Sequence, residues 1–249
     1  MSDVDRPVHF SSLKAMAQSA QHYLHAASSG RPDTVSMRIG RVVHSLALGG
    51  PPIAAYTGIR RGKKWLAFQE EHEGKELVSV KEMEVARRAA ESLMKHGDAM
   101  ALIEGSSMRE HEFSWSRSGV NCEGRVDFVS PGKYLGDLKL TRSAQPDRFA
   151  RQAIGMGYHA QLSWYKFGLE SVGIKVPEAY LISVENSAPY PVVVRRMTPL
   201  AMEYGHKLCC LWLEQLKVCA ASGEWPGYAS TTIDLDVEAE VELDFGSEE

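Results

Sequence analysis

Apolar positions in the first thirty residues recur at helical spacing. Leu13, Met16, Ala20, Tyr23 and Leu24 fall on one stripe within "HFSSLKAMAQSAQHYLHAASSG", which opens with serines suited to N-capping and closes with glycine. That pattern predicts a helix with the stripe in the core. "TVSMRIGRVVHSLALGG" predicts a second helix, stopped by Gly49-Gly50-Pro51-Pro52. A basic loop follows, then a polar helix from about Val80 to His96. The period then changes to two: "HEFSWS" alternates, and "GRVDFVSPGKYLGDLKL" (Gly124–Leu140) reads as two short strands around a turn at Pro131-Gly132-Lys133. One long helix is expected over "DRFARQAIGMGYHAQLSWYKFGLESVG". "EAYLISVEN" and "YPVVVRRM" read as strands, Met202–Ala221 as a helix, and "SGEWPGY" as a turn-rich loop. This order predicts an α/β fold, a mixed sheet flanked by helices on both sides.

The chain has no internal repeat and no low-complexity linker, so residues 1–232 are expected to form one domain. Residues 233–249 differ. From Ile233 to Phe245 apolar and acidic residues alternate strictly, the signature of a strand with one buried face. Such a segment is expected to dock on a neighbouring subunit or a partner protein, with its acidic face in water or against a basic surface.

Composition excludes more than it selects. No apolar run approaches the length of a membrane span, and "MSDVDRPVHF" is too polar and acidic for a targeting peptide, so a cytoplasmic protein is expected. Of the four cysteines, Cys209 and Cys219 share a helical stripe with Met202, Trp212 and Leu216, which marks them as small core residues. An iron–sulfur cluster lacks a fourth cysteine near the N-terminus. The formal net charge is −4, but eight acids and no base lie between Asp234 and Glu249, so the rest of the chain is net basic. "IRRGKK" places Arg60, Arg61, Lys63 and Lys64 within six residues. Such a cluster is either a solvated loop or an edge that contacts nucleic-acid phosphates.

The hairpin carries the chemistry. If it is symmetric about Gly132, Asp127 faces Asp137, and like charges directly across a strand pair repel. Either the register is different and both acids are solvated, or a divalent cation sits between them. Oxygen ligands from two carboxylates suit Mg²⁺ or Mn²⁺. Lys139, two residues on, shares a face with Asp137. An ammonium there can orient a metal-activated water or offset charge on an attacked phosphate. Two acids and a lysine around one metal suit phosphodiester hydrolysis.

The spacing D-x(9)-D-L-K resembles the core of the PD-(D/E)XK nucleases. "GRVVH" (Gly40–His44) looks like the G-x-x-x-H motif of the exonuclease branch that includes RecB, RecE and lambda exonuclease, and "QLSWY" (Gln161–Tyr165) like its Q-x-x-x-Y motif. "EFSW", "VENSAPYPV" and "GEWPGY" further resemble the nuclease domain of RecE, over roughly Phe10–Tyr228. The resemblance implies His44, Asp127, Asp137 and the Leu138 backbone carbonyl as metal ligands, and Lys139 as the catalytic lysine. It implies Glu112 as an acid on the preceding strand, with Glu110 competing for that place. Gln161 and Tyr165, four apart on one helix face, would contact the active site and the DNA backbone. Tyr158, on the same stripe, is expected in the core. Relatives carry threonine directly after the lysine, whereas Leu140 precedes Thr141 here; Leu140 is expected to point away from the metal.

A RecE-like enzyme would be a Mg²⁺- or Mn²⁺-dependent exodeoxyribonuclease. It would degrade the 5′-ended strand of duplex ends and leave a 3′ single strand for a phage- or prophage-type annealing protein. It would assemble as a homo-oligomeric ring of unspecified size. The alternatives are a catalytically decayed DNA-binding or assembly module, and a RecB- or CRISPR-associated-type nuclease of different polarity.

Overall fold

A computed structural model describes residues 6–29 and 33–234. The first stretch is three pieces where one helix was expected. After a two-residue strand, β1 (Val8–His9), come α1 (Phe10–Leu13), a 3₁₀ turn (Lys14–Ala17) and α2 (Ala20–Ser28). The break has a local cause. Ser19 adopts extended backbone, and its hydroxyl oxygen accepts the His22 N–H at 3.2 Å, so it caps a new helix instead of continuing the old one. The stripe survives the break: Leu13, Met16, Ala20 and Tyr23 are buried, and Leu24 is partly so.

α3 (Val35–His44) starts at Thr34, whose Oγ1 accepts the Met37 N–H, and runs into a π-helical turn (Ser45–Gly49). The stretch expected as a basic loop is ordered differently. It holds β2 (Ile53–Tyr56), α4 (Lys63–Glu71) and β3 (Glu76–Ser79), with β2 and β3 paired in parallel as a small separate sheet. α5 (Val80–Met94) opens on a capping box between Ser79 and Glu82, and α6 (Gly97–Glu104) follows at once.

The main sheet is built from β4 (Met108–Arg117), β5 (Val120–Ser130) and β6 (Tyr134–Thr141), then β7 (Glu178–Glu185) and β8 (Val192–Arg196). Between β6 and β7 lie α7 (Pro146–Gly155) and α8 (Tyr158–Ser171), which the pattern predicted as one helix. They part at Gly157, whose φ of +72° is left-handed and open to glycine at little cost. α9 (Pro199–Ser222) closes the fold. β6 and β7 are parallel, whereas β4–β5, β5–β6 and β7–β8 are antiparallel; β1 lies parallel to β5. The sheet is therefore mixed, as expected.

Helices cover it in two hydrophobic layers. One packs Leu13, Trp164, Leu169, Trp212 and Leu216, with Cys209 and Cys219 buried among them. The other packs Val42, Ala86, Leu93 and Ile103 against Phe128, Leu138 and Ile182. Among the described residues no helix is long and apolar enough to cross a membrane. Residues 235–249, which hold most of the alternating acidic segment, lie outside the described residues.

The hairpin places the functional residues. β5 and β6 pair only at Ser130–Tyr134, Val129–Leu135 and Phe128–Gly136, a register centred on Gly132. Gly136 is required there: a Cβ would lie 2.0 Å from the Phe128 ring. Beyond this pair the strands separate, and β5 turns to β1 at Cys122 and Glu123. Asp127 and Asp137 sit one residue past the last pair, at the mouth of the fork.

Candidate active site

Each strand of the fork has lost ladder partners, and side chains replace them. Asp127 Oδ2 accepts the Leu138 backbone N–H at 2.6 Å. His44, the last residue of α3, bonds through Nε2 to the Leu138 carbonyl at 2.9 Å. Its Nδ1 lies 3.3 Å from Glu110 Oε1 and 3.7 Å from Asp127 Oδ2. Acceptors at both ring nitrogens favour imidazolium. Burial alone would lower the His44 pKa, but Asp127 and the Glu110 hydrogen bond outweigh it and push it up to about 9. Burial raises Asp127 to about 6, against the pull of the His44 charge and with the Asp137 charge adding to the rise.

Asp137 is buried, and the partner of its Oδ2 is the Lys139 ammonium. Lys139 Nζ lies 2.6 Å away, on the same face as the pleat requires. Burial disfavours the Lys139 charge, but Asp137 and Asp127 more than compensate and raise its pKa. The ammonium also lies 5.1 Å from the centre of the Tyr158 ring. Tyr158 is buried in the core as expected. On α8, Gln161 Nε2–H donates to Tyr165 Oη at 2.9 Å. Burial pushes the Tyr165 phenol up to about 12, and the Asp137 charge adds to the rise. The Tyr165 ring can lie close to β5 because residue 124 is glycine; a Cβ there would meet Tyr165 at 3.1 Å.

The two acids of β4 differ in place. Glu112 is exposed and lies across from Arg125, whereas Glu110 reaches His44. Glu110 has φ +47°, left-handed for a residue with a side chain, and the register puts it across from Asp127 in a gap between the Arg109–Phe128 and His111–Val126 pairs. Such backbone costs on the order of 1–3 kcal/mol, and it persists at sites that use it. Burial favours a neutral Glu110, but His44 and Arg125 hold its pKa below the usual value.

His44, Glu110 and Asp127 offer ligand atoms within 4.8 Å of one another. With Asp137 and the Leu138 carbonyl, the donor set is one imidazole and otherwise oxygen. That is the chemistry of a hard divalent cation, Mg²⁺ or Mn²⁺. Three such ligand atoms gathered within 4.8 Å of one another fit that ion.

The basic cluster divides. Arg60 is engaged: its Nη2 donates to the Leu77 carbonyl and to Glu82 Oε2, and it stacks on Trp65. Arg61, Lys63 and Lys64 are exposed at the start of α4. The sequence reading missed a second basic group. Arg142, Arg148 and Arg151 are exposed, with no ion pair among the described residues, on the loop and helix that follow β6. α7 is tied to β6 by the Thr141 hydroxyl, which donates to Gln152 Oε1 at 3.0 Å. The spacing R-x(5)-R-x(2)-R, directly after the lysine strand, was the available signal.

A family model described as "PDDEXK-like domain of unknown function (DUF3799)" matches residues 9–235. No curated protein sequence matches the chain at a significant level. Among solved structures, that of a candidate exonuclease from Eubacterium rectale superposes with a TM-score of 0.65 at 12% identity, over 93% of this chain and 91% of that one, so the two share a fold. A structure described as SSO0001 aligns over 81% of this chain and 84% of its own (TM-score 0.31, 11% identity). One described as LHK-Exo in complex with dAMP aligns over 76% and 98% (TM-score 0.28, 15% identity).

Proposed function

The chain belongs to the PDDEXK-like family whose model spans it, and on that premise we propose that it is a divalent-metal-dependent exodeoxyribonuclease acting on the ends of double-stranded DNA. The observation that carries this reading is the fork of β5 and β6. There His44, Glu110 and Asp127 offer ligand atoms within 4.8 Å of one another, with buried Asp137 and its Lys139 partner beside them. His44, Glu110, Asp127, Asp137 and the Leu138 carbonyl would hold Mg²⁺ or Mn²⁺. When bound, such a cation would supply positive charge at the scissile phosphate and lower the pKa of a bound water.

The chain's own residues do the rest. Lys139, kept protonated by Asp137 and Asp127, acts as a fixed positive charge that orients water and offsets charge on the attacked phosphate. Tyr165, a neutral phenol oriented by Gln161, presents a hydroxyl to the phosphate backbone. Arg61, Lys63 and Lys64 hold flanking phosphates, and so do Arg142, Arg148 and Arg151. Arg60 is withdrawn from that role by Glu82.

We extend the reading to 5′-to-3′ resection that leaves a 3′ single strand for an annealing partner, in a phage or prophage setting. Its support is the order of "GRVVH", the D…DLK hairpin and "QLSWY" along one chain. The test is digestion of a long duplex labelled at one 5′ end or one 3′ end, with Mg²⁺ or EDTA. Early loss of the 5′ label with Mg²⁺, slow loss of the 3′ label and no loss in EDTA are expected. Early loss of the 3′ label would overturn the polarity, and no Mg²⁺- or Mn²⁺-dependent loss of either would overturn the enzyme.

A further inference from the structure

One arginine at the fork is only half accounted for by its neighbours. Arg125 lies on β5 two residues before Asp127, so the pleat puts both on one face. The acid directly across from it is Glu112, yet its ion pair is with Glu110: Arg125 Nε lies 3.3 Å from Glu110 Oε2. The other oxygen of that carboxylate lies 3.3 Å from His44 Nδ1. Glu110 therefore spans the imidazole and the guanidinium, and draws the arginine towards the mouth of the fork. The hold is loose. The Arg125 side chain is 60% exposed, and its guanidinium makes no hydrogen bond among the described residues. Arg60 is the contrast, since it donates both to the Leu77 carbonyl and to Glu82. Arg125 keeps its donors free beside the candidate metal site.

We propose that Arg125 binds the DNA phosphodiester next to the one cleaved, an inference that rests on the nuclease reading above. Charge selects the ligand. With a divalent cation held, His44 is a neutral ligand, and the cation and Lys139 together balance the carboxylates of Glu110, Asp127 and Asp137. The Arg125 charge is left over. A phosphodiester carries the single negative charge that neutralises it, whereas a terminal phosphate monoester carries nearly two at neutral pH. Geometry selects the place. Lys139 stands on β6 and Arg125 on β5, on opposite arms of the fork, with the acids between them. Two residues of strand set Arg125 about 6.7 Å along from Asp127, so it meets a neighbouring phosphate instead of sharing the scissile one with Lys139. A guanidinium offers phosphate oxygens paired N–H donors, which fixes the position of the strand on the protein. Arg125 is thus a substrate-positioning residue.

The test is equilibrium binding of a fluorescent DNA duplex to the full chain by anisotropy. Ca²⁺ replaces Mg²⁺, the DNA is verified intact on a gel, and salt runs from about 50 to 200 mM. Arg125→Gln should weaken binding about tenfold and flatten the slope of log affinity against log salt by about 0.9, the share of one phosphate contact. Duplexes carrying one neutral methylphosphonate, moved linkage by linkage from the end, should locate the contact. One internal position should weaken the wild type and leave Arg125→Gln unchanged, because both changes remove the same interaction. The Mn²⁺ affinity of Arg125→Gln in calorimetry should not fall below wild type, which separates phosphate binding from support of Glu110. An unchanged salt slope, a fall in Mn²⁺ affinity, no linkage at which the two changes couple, or a loss confined to duplexes with a 5′-terminal phosphate would overturn the proposal. A wild type that binds no duplex would overturn the nuclease reading itself, and the proposal with it.

Discussion

Two buried acid clusters in this chain have similar ingredients and opposite fates. Glu82 is buried beside two arginines. Its Oε1 accepts two bonds from Arg38, at 3.0 and 2.7 Å; its Oε2 accepts the Ser79 N–H at 2.6 Å and Arg60 at 2.7 Å. Every bond favours the carboxylate, and the pKa falls below its usual value despite burial. Asp127 and Asp137 are equally buried, but they repel one another, and Asp137 has one ammonium partner, Lys139, where Glu82 has two guanidinium groups. The satisfied cluster ties α3, the β2–α4 segment and α5 together. The other, with more acid than base, has capacity left for a cation. Burial of charge therefore does not distinguish structure from function here; the balance of donors does.

The largest expected effect separates them. Asp137→Ala should lower Mg²⁺-dependent cleavage at least on the order of 10²-fold, because it removes a ligand from the fork. Its unfolding midpoint in EDTA should fall, because the buried Lys139 ammonium loses the partner 2.6 Å away, but by less than for Glu82→Ala, since the repulsion from Asp127 goes with it. Glu82→Ala should weigh the other way. It leaves two guanidinium groups without their acceptor and should cost about 3 kcal/mol in denaturant unfolding. Wild-type cleavage by Asp137→Ala, or full stability of Glu82→Ala, would erase the contrast. A finer test lies within β4: Glu110→Gln should weaken Mn²⁺ binding in calorimetry about tenfold, and Glu112→Gln should leave it unchanged. Equal effects would return the site acid to Glu112.

The smallest effect is in pH, where the clusters should have opposite signs in metal-free protein. The Glu82 pKa is depressed, so its contribution is present above about pH 4.5 and is lost on acidification through its lower folded value. The Asp127 pKa is raised from 3.8 to about 6, so its contribution is complete below pH 3.8 and is lost as pH rises through 6. Urea unfolding in EDTA from pH 3 to 7 should show Glu82→Gln flattening the acid limb and Asp127→Asn flattening the decline between 4 and 6. Matching slopes in both variants would contradict the assignment.

The hairpin was legible from period-two patterning and a Pro-Gly-Lys turn, but its register stayed open until packing buried Val129 and Leu135 in the alignment centred on Gly132. The two helix breaks were not. Ser19 caps as readily as it continues, and Gly157 could sit in either conformation until packing chose the left-handed one. The parallel β2–β3 pair escaped because four residues, Ile53–Tyr56, carry too little alternation to register. Glu110 was the least readable. Regular alternation puts Glu110 and Glu112 on one face, and only the backbone turn at φ +47° gives Glu110 to His44. No propensity announces positive φ at a glutamate. Arg60 looked like its basic neighbours, since nothing local revealed Glu82, 22 positions away.

Anomalous diffraction from crystals soaked in Mn²⁺ tests most directly whether the fork of β5 and β6 holds a divalent cation. A peak should lie between His44, Asp127 and Asp137, within about 2.0–2.4 Å of carboxylate oxygens and the Leu138 carbonyl, with Glu110 beside it and Glu112 in solvent. A fork without manganese at millimolar concentration, with His44 still bonded to Leu138 and Glu110, would contradict it.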